Sequence, residues 1–279
     1  MKILDTINTG SKELKLKHIN SYRLDSEILM SKVLSKRREE VLINLDQELN
    51  NKQILEFNQL IRRRALKEPI AYILEQKEFW SRDFKVNRHT LIPRPETELM
   101  IEKLIQIFKN KSISILDVGT GSGCILISLV SELKNASGVG IDVSKKALQI
   151  AKKNAYLNKI NKKVKFLKCP FEQSNFKKFD LIVSNPPYIE RGKIKRLSDD
   201  IKNHEPWVAL DGGNDGLDVI AKVIYKAKYT LKINGTLALE IGNGQLKKVS
   251  KLLRNNNFRL INNIKDYKEN TRCIISKLI

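Results

Sequence analysis

Two short runs of residues have the types and spacing to do chemistry. The first is Asp117-Val-Gly119-Thr120-Gly121-Ser122-Gly123, which closes an apolar stretch. Glycines there let the backbone turn sharply and approach a ligand closely. Asp142 follows nineteen residues after Gly123. An acid at the end of the next strand can accept both hydroxyls of a ribose. The dinucleotide fingerprint G-x-G-x-x-G is absent, because the count from Gly119 ends on Cys124. No G-K-[ST] follows either, which excludes a phosphate-cradling loop. A glycine loop and a ribose acid without phosphate machinery suit S-adenosylmethionine, a nucleoside that carries a cationic sulfonium.

The second run is Asn185-Pro186-Pro187-Tyr188. The prolines lack N–H groups, so nearby carbonyl acceptors stay unopposed. The Asn185 side-chain oxygen and the Pro186 carbonyl can both accept from one planar NH₂, while Tyr188 stacks on the planar group. That orients the nitrogen toward a methyl donor, and alignment is the main contribution to rate. No base is needed beforehand, since an amide nitrogen does not lose its proton near neutral pH.

The elements that must position these runs follow from periodicity. Residues 112–279 alternate strand and helix, with strands expected at 113–118, 138–142, 164–167, 180–184, 236–241, 258–264 and 273–278. Such alternation predicts an α/β fold with a mostly parallel, doubly wound sheet. The last two strands lie too close for an intervening helix and should pair antiparallel. Both chemical runs then fall at carboxyl ends of strands, where such sheets bind ligands. Residues 1–77 read as a small helical domain. Leu24, Ile28, Leu29, Val33 and Leu34 share a 3.6-residue period behind a cap at Asp25 or Ser26, and Ile54, Leu55, Leu60 and Ile61 share a face of a helix over 51–67. Residues 78–94 read as a β-hairpin linker with its turn at Asn87 and Arg88. A helix starts after Pro93-Arg-Pro-Glu96, and the domain over 95–279 carries the chemistry.

Composition narrows the class. The chain has 279 residues and 30% charged residues, with 52 basic against 31 acidic, a net charge of +21. Residues 89–279 hold 34 basic and 18 acidic residues, or +16. A field of that sign draws nucleic acid or acidic proteins, although 38 lysines against 14 arginines and 24 asparagines also fit a general Lys/Asn bias. The most apolar region, 113–133, is broken by Asp117, three glycines and Glu132, so no membrane span is expected. The first residues have no apolar core of a secretory signal, which places the protein in the cytoplasm. Cys124, Cys169 and Cys273, like His18, His89 and His204, are scattered, so neither a disulfide framework nor a metal site is expected.

Other segments give the two runs a resemblance. N-P-P-Y after D-x-G-x-G-x-G resembles methyltransferases acting on planar nitrogen. Thr90-Leu-Ile-Pro-Arg-Pro-Glu-Thr-Glu98 resembles the signature of the PrmC/HemK family, protein-(glutamine) methyltransferases that modify peptide chain release factors. Glu205-Pro206, Ala209-Leu-Asp-Gly-Gly213, Asp215-Gly-Leu217, Glu240-Ile-Gly242, Gln245 and the stretch 62–74 are similar to it as well. The resemblance runs from Arg62 to the C-terminus. It implies a Rossmann-like S-adenosylmethionine-dependent domain with cofactor contacts at Gly119, Thr120, Gly121, Ser122, Gly123, Asp142 and Asn185. It also implies a contact after the third strand, where Phe171 would pack on adenine, with 90–98 covering the cofactor. The substrate glutamine, within a Gly-Gly-Gln motif, would lie on Asn185, Pro186, Pro187 and Tyr188, with Asn185, Pro186 and Tyr188 catalytic. The partner is a release factor, taken by a monomer that requires no nucleic acid and no membrane.

Three residues depart from the family pattern: Cys169 before Phe171, Glu75 in place of a common glycine, and His204 in place of a common aromatic. The alternatives are methylation of an exocyclic base amine, methylation of a ribosomal-protein glutamine, and a non-catalytic nucleic-acid-binding module.

Overall fold

The computed structural model describes residues 1–176 and 178–279 and divides into two compact units. One comprises residues 1–75 with 198–204; the other comprises 76–197 with 205–279.

The first unit is helical. Helices α1 (Ile3–Leu16), α2 (Tyr22–Leu34), α3 (Arg38–Ile43), α4 (Asn51–Ala65) and α5 (Ile70–Leu74) enclose Ile3, Ile7, Leu29, Met30, Phe57 and Ile61. A capping box starts α4: Asn50 Oδ1 accepts from the Gln53 N–H at 2.9 Å, and Gln53 Oε1 from the Asn50 N–H at 3.0 Å.

Helix α2 departs from its expected pattern. It starts at Tyr22, so Asp25 and Ser26 lie within the helix rather than at its cap and are buried, while Leu24 is exposed. The inward acids are paired: Asp25 Oδ2 accepts from Arg64 Nε at 2.7 Å, and Glu27 from Arg23 and Arg38 at 2.6 and 2.7 Å. On α4, Phe57 takes the inward place expected of Leu55, which is exposed. Removing the buried Phe57 ring (Phe57→Ala) should cost about 3–5 kcal/mol in this unit. Amides over residues 1–75 should then lose protection in hydrogen exchange, while those of the strands keep theirs.

The second unit opens with a hairpin, β1 (Gln76–Phe79) and β2 (Arg82–Lys85), in antiparallel register with Phe79 opposite Arg82. Its turn is Trp80-Ser81, both at positive φ (52° and 51°), earlier than the expected Asn87-Arg88. Two-residue hairpin loops take this mirror-image turn because it matches strand twist. Asn87 makes a second turn instead, its Oδ1 accepting from the His89 N–H at 3.0 Å, and this turn leads into the segment before α6 (Pro95–Phe108).

Then follow β3 (Ile113–Val118), α7 (Cys124–Glu132), β4 (Ala136–Asp142), α8 (Lys145–Leu157), β5 (Val164–Lys168) and β6 (Phe179–Ser184). Short helices α9 (Arg191–Ile194) and α10 (Asp199–Lys202) precede α11 (Asp218–Thr230), β7 (Leu231–Glu240), α12 (Leu246–Asn255), β8 (Phe258–Lys265) and β9 (Thr271–Leu278). Helix α10 belongs to the helical unit, where the His204 ring lies 3.2 Å from the Leu66 carbonyl.

The sheet order is β5-β4-β3-β6-β7-β9-β8. All strands are parallel except β9, which is antiparallel to both neighbours. Chain direction across the sheet reverses between β3 and β6, so a crevice opens beyond their carboxyl ends. One apolar core on each face holds the sheet, around Leu104, Leu126 and Leu129 on one side and Ile182, Ile220 and Leu239 on the other. Among the described residues, no helix is long and apolar enough to cross a membrane.

Candidate active site

The glycine run leaves β3 and bends at once. Gly119, Gly121 and Gly123 have φ of 73°, 55° and 82°, values a side chain would strain. The Gly119 and Thr120 N–H groups donate to the Ile141 carbonyl at 2.9 Å, tying the loop to the end of β4. There Asp142 Oδ2 accepts from the Gly121 N–H at 3.0 Å and Oδ1 from the Ser144 N–H at 2.8 Å. Each oxygen keeps a further lone pair for a ligand hydroxyl. Burial pushes the Asp142 carboxyl above its usual range.

Beneath the loop, Asp117 is fully buried. Its Oδ2 accepts from Thr120 Oγ1 at 2.6 Å, while Oδ1 meets no hydrogen-bond criterion among the described residues. Burial raises this carboxyl to about 7 from 3.8. Since the folded value exceeds the unfolded one, the group favours folding at acid pH, and that contribution is lost as pH rises toward 7. Asp117→Asn should remove this slope. The ligand-free variant should gain thermal stability over wild type at pH 8 relative to pH 5, and an identical pH difference in both proteins would contradict the assignment.

A cavity of about 290 Å³ lies over these residues. Gly119, Thr120, Gly121, Ser122, Asp142, Phe171, Asn185 and Pro187 all line it. Gly123, Pro186 and Tyr188 do not. Gly123 starts α7, where a Cβ would crowd Ile127 and Ala151, and Pro186 is buried. The Tyr188 hydroxyl donates to Glu240 Oε1 at 3.2 Å. Burial and Glu240 hold this phenol above its usual range. Asn185 is half-buried, and among the described residues its side-chain amide makes no hydrogen bond. Ser184 Oγ donates to the Val118 carbonyl at 2.7 Å, joining the ends of β6 and β3.

The rest of the wall comes from three places. Pro93, Arg94 and Thr97 contribute from the segment expected to cover the cofactor. Glu205 is buried and pins that segment, its Oε1 accepting from Arg94 Nη2 at 2.5 Å. Ala209, the first residue of the family-like stretch 209–213, lines the pocket as well, as do Val208 and, from α11, Val219, Lys222 and Val223, which no sequence signal marked. The pocket therefore offers a carboxylate with spare acceptor capacity and walls that are largely apolar. That acceptor and those surfaces fit a nucleoside with an attached amino acid and sulfonium.

Fold and site together define a Rossmann-like, S-adenosylmethionine-dependent methyltransferase. Two family models match, the PrmC N-terminal domain over residues 5–74 and a methyltransferase domain over residues 109–274. The chain is 41% identical to the release factor glutamine methyltransferase of Buchnera aphidicola, covering 94% of each. It is 36% identical to that of Clostridium acetobutylicum, covering 99% of this chain and 98% of the relative. A bifunctional methyltransferase of Rickettsia typhi is 37% identical, and the chain spans only 56% of its length. Among solved structures, the hMettl16 catalytic domain in complex with an RNA hairpin superposes with a TM-score of 0.58 at 16% identity, over 77% of this chain and 81% of that one, a likeness of fold. The chain belongs to the release factor glutamine methyltransferase family.

Proposed function

We propose that this protein methylates the side-chain amide nitrogen of the glutamine in the Gly-Gly-Gln motif of peptide chain release factors. The observation that carries the reading is the unpaired Asn185 amide on the wall of the pocket, at the switch point of the sheet. S-adenosylmethionine, when bound, supplies an electrophilic methyl group on a cationic sulfur. Asp142 would accept the ribose hydroxyls, Gly119–Gly121 would hold the donor along the loop, and Phe171 would pack on the adenine.

Asn185 Oδ1 and the Pro186 carbonyl accept the two N–H bonds of the substrate amide. Together they fix the nitrogen so that its lone pair faces the donor side of the pocket. Tyr188 closes over the flat amide. The nitrogen gains the methyl group as the methyl–sulfur bond breaks and the sulfonium leaves as a neutral thioether, and it gives up one proton to water, so its charge is unchanged at the end. The helical domain expected over residues 1–77 recognises the protein substrate, whose acidic surface is drawn by the chain's net charge of +21. The enzyme works as a monomer in the cytoplasm and needs no nucleic acid.

The test is a mass measurement on the glutamine-bearing peptide of a purified release factor after incubation with enzyme and S-adenosylmethionine. One added methylene on the glutamine side chain is expected. Unmodified peptide under conditions where the enzyme binds S-adenosylmethionine would overturn the reading.

A further inference from the structure

Tyr188 sits in a socket built from three distant segments, around Thr97, Gly212 to Gly216 and Glu240 to Gln245. Its hydroxyl donates to Glu240 Oε1 at 3.2 Å, and the other Glu240 oxygen accepts from Thr97 Oγ1 at 2.5 Å. Its carbonyl accepts from Gln245 Nε2 at 3.0 Å, and the same nitrogen reaches the Gly216 carbonyl at 3.2 Å. Gln245 Oε1 accepts in turn from the Gly242 N–H at 2.8 Å. A Cβ at Gly212 would approach Tyr188 Cα to 2.8 Å, and one at Gly242 would approach the ring to 3.2 Å. The tyrosine is thus held at its backbone, its ring and its hydroxyl.

Glu240 is the costly part of the socket. It is 2% exposed, and burial pushes its carboxyl above the usual range. Burying an acid whose hydrogen-bond partners are neutral hydroxyls opposes folding. An apolar residue at the end of β7 would serve the core better. What the carboxylate does is join two parts of the site. Thr97 lines the donor pocket, and Tyr188 ends the acceptor motif.

We propose that Glu240 is a positioning residue, which keeps the acceptor motif in register with the donor pocket by holding Thr97 and Tyr188 at once. This rests on the methyl-transfer function proposed above. A carboxylate accepting two hydroxyl protons fixes where both hydroxyls point. The phenol proton is committed to Glu240, so Tyr188 presents its ring to the substrate. A glutamine in its place has only one oxygen for the two donors, so one hydroxyl must turn away. The pocket and the asparagine stay in place while the tyrosine loses its direction.

The test is a double-mutant cycle on the full chain with a release factor as substrate. Glu240→Gln and Tyr188→Phe should each lower kcat about tenfold, with KM for the factor and Kd for S-adenosylmethionine changed less than about threefold. The double variant should lose about tenfold again in total, rather than the roughly hundredfold expected of independent sites. A Glu240→Gln enzyme with wild-type kcat, or a multiplicative loss in the double variant, would overturn the proposal. If Glu240→Gln fails to fold, Thr97→Val replaces it in the cycle, since it removes the other hydroxyl from the carboxylate, and the same two outcomes decide. Wild-type enzyme that transfers no methyl to the factor would instead refute the proposed function, a result separate from either.

Discussion

Asn185→Ala should remove about 10²–10³-fold of kcat while leaving Kd for S-adenosylmethionine within about threefold. The side chain makes no hydrogen bond to the rest of the described chain, so its loss breaks no internal contact. It is half-buried beside Pro186, which is fixed in the core, so truncation should leave the backbone where it is. What disappears is one of the two acceptors for the substrate amide. The nitrogen can then rotate out of line, and misalignment on the scale of an ångström costs about 10²-fold. Single-turnover kinetics on saturated enzyme, paired with calorimetry of the cofactor, check both halves. A variant that loses cofactor affinity and keeps its turnover would place Asn185 in donor binding.

Asp142→Ala should act on the opposite half of the reaction. Each oxygen of Asp142 holds one backbone N–H, from Gly121 and Ser144, and still has capacity for a ribose hydroxyl. Removing the carboxylate takes away both ligand contacts and also frees the Gly121 amide, so the glycine loop loses its tie to β4. Hydrogen bonds to a charged acceptor are worth about 1.5–3 kcal/mol each. Kd for S-adenosylmethionine should therefore rise by about 10²-fold or more, with kcat at saturation affected far less. Calorimetry reads the first and initial rates at high cofactor the second. Unchanged affinity would mean that the ribose lies elsewhere.

The two runs were readable in sequence because each is dense in residues with narrow physical uses. Three glycines at positive φ after an apolar strand admit few structures, and so does a double proline after another. The parallel order was readable from strand–helix alternation, and the antiparallel last strand from the short gap before it. Patterning misled where polar groups turn inward. Asp25, Ser26 and Glu27 on α2 are buried because Arg64, Arg23 and Arg38 meet the acids, and no local signal marks a partner 39 residues away. The hairpin turn at Trp80-Ser81 was hidden because neither residue type favours positive φ.

The site shows the same division. Asp142 and Asn185 lie on the pocket, as their places at strand ends suggested. The lining by Val208, Val219 and Val223 was invisible, since a valine reads the same whether it packs on protein or faces a cavity. Glu240 was seen only as part of a family resemblance. Its bonds to Thr97 and Tyr188 span 143 and 52 residues, and only folding brings those hydroxyls to one carboxylate.

The most direct measurement is transfer of labelled methyl from S-adenosylmethionine to a purified release factor, beside the same factor with its Gly-Gly-Gln glutamine changed to alanine, and beside total RNA and DNA. Label is expected on the wild-type factor alone. Label on nucleic acid with none on the factor would mean that Asn185–Tyr188 grips a base amine, and would contradict the proposed function.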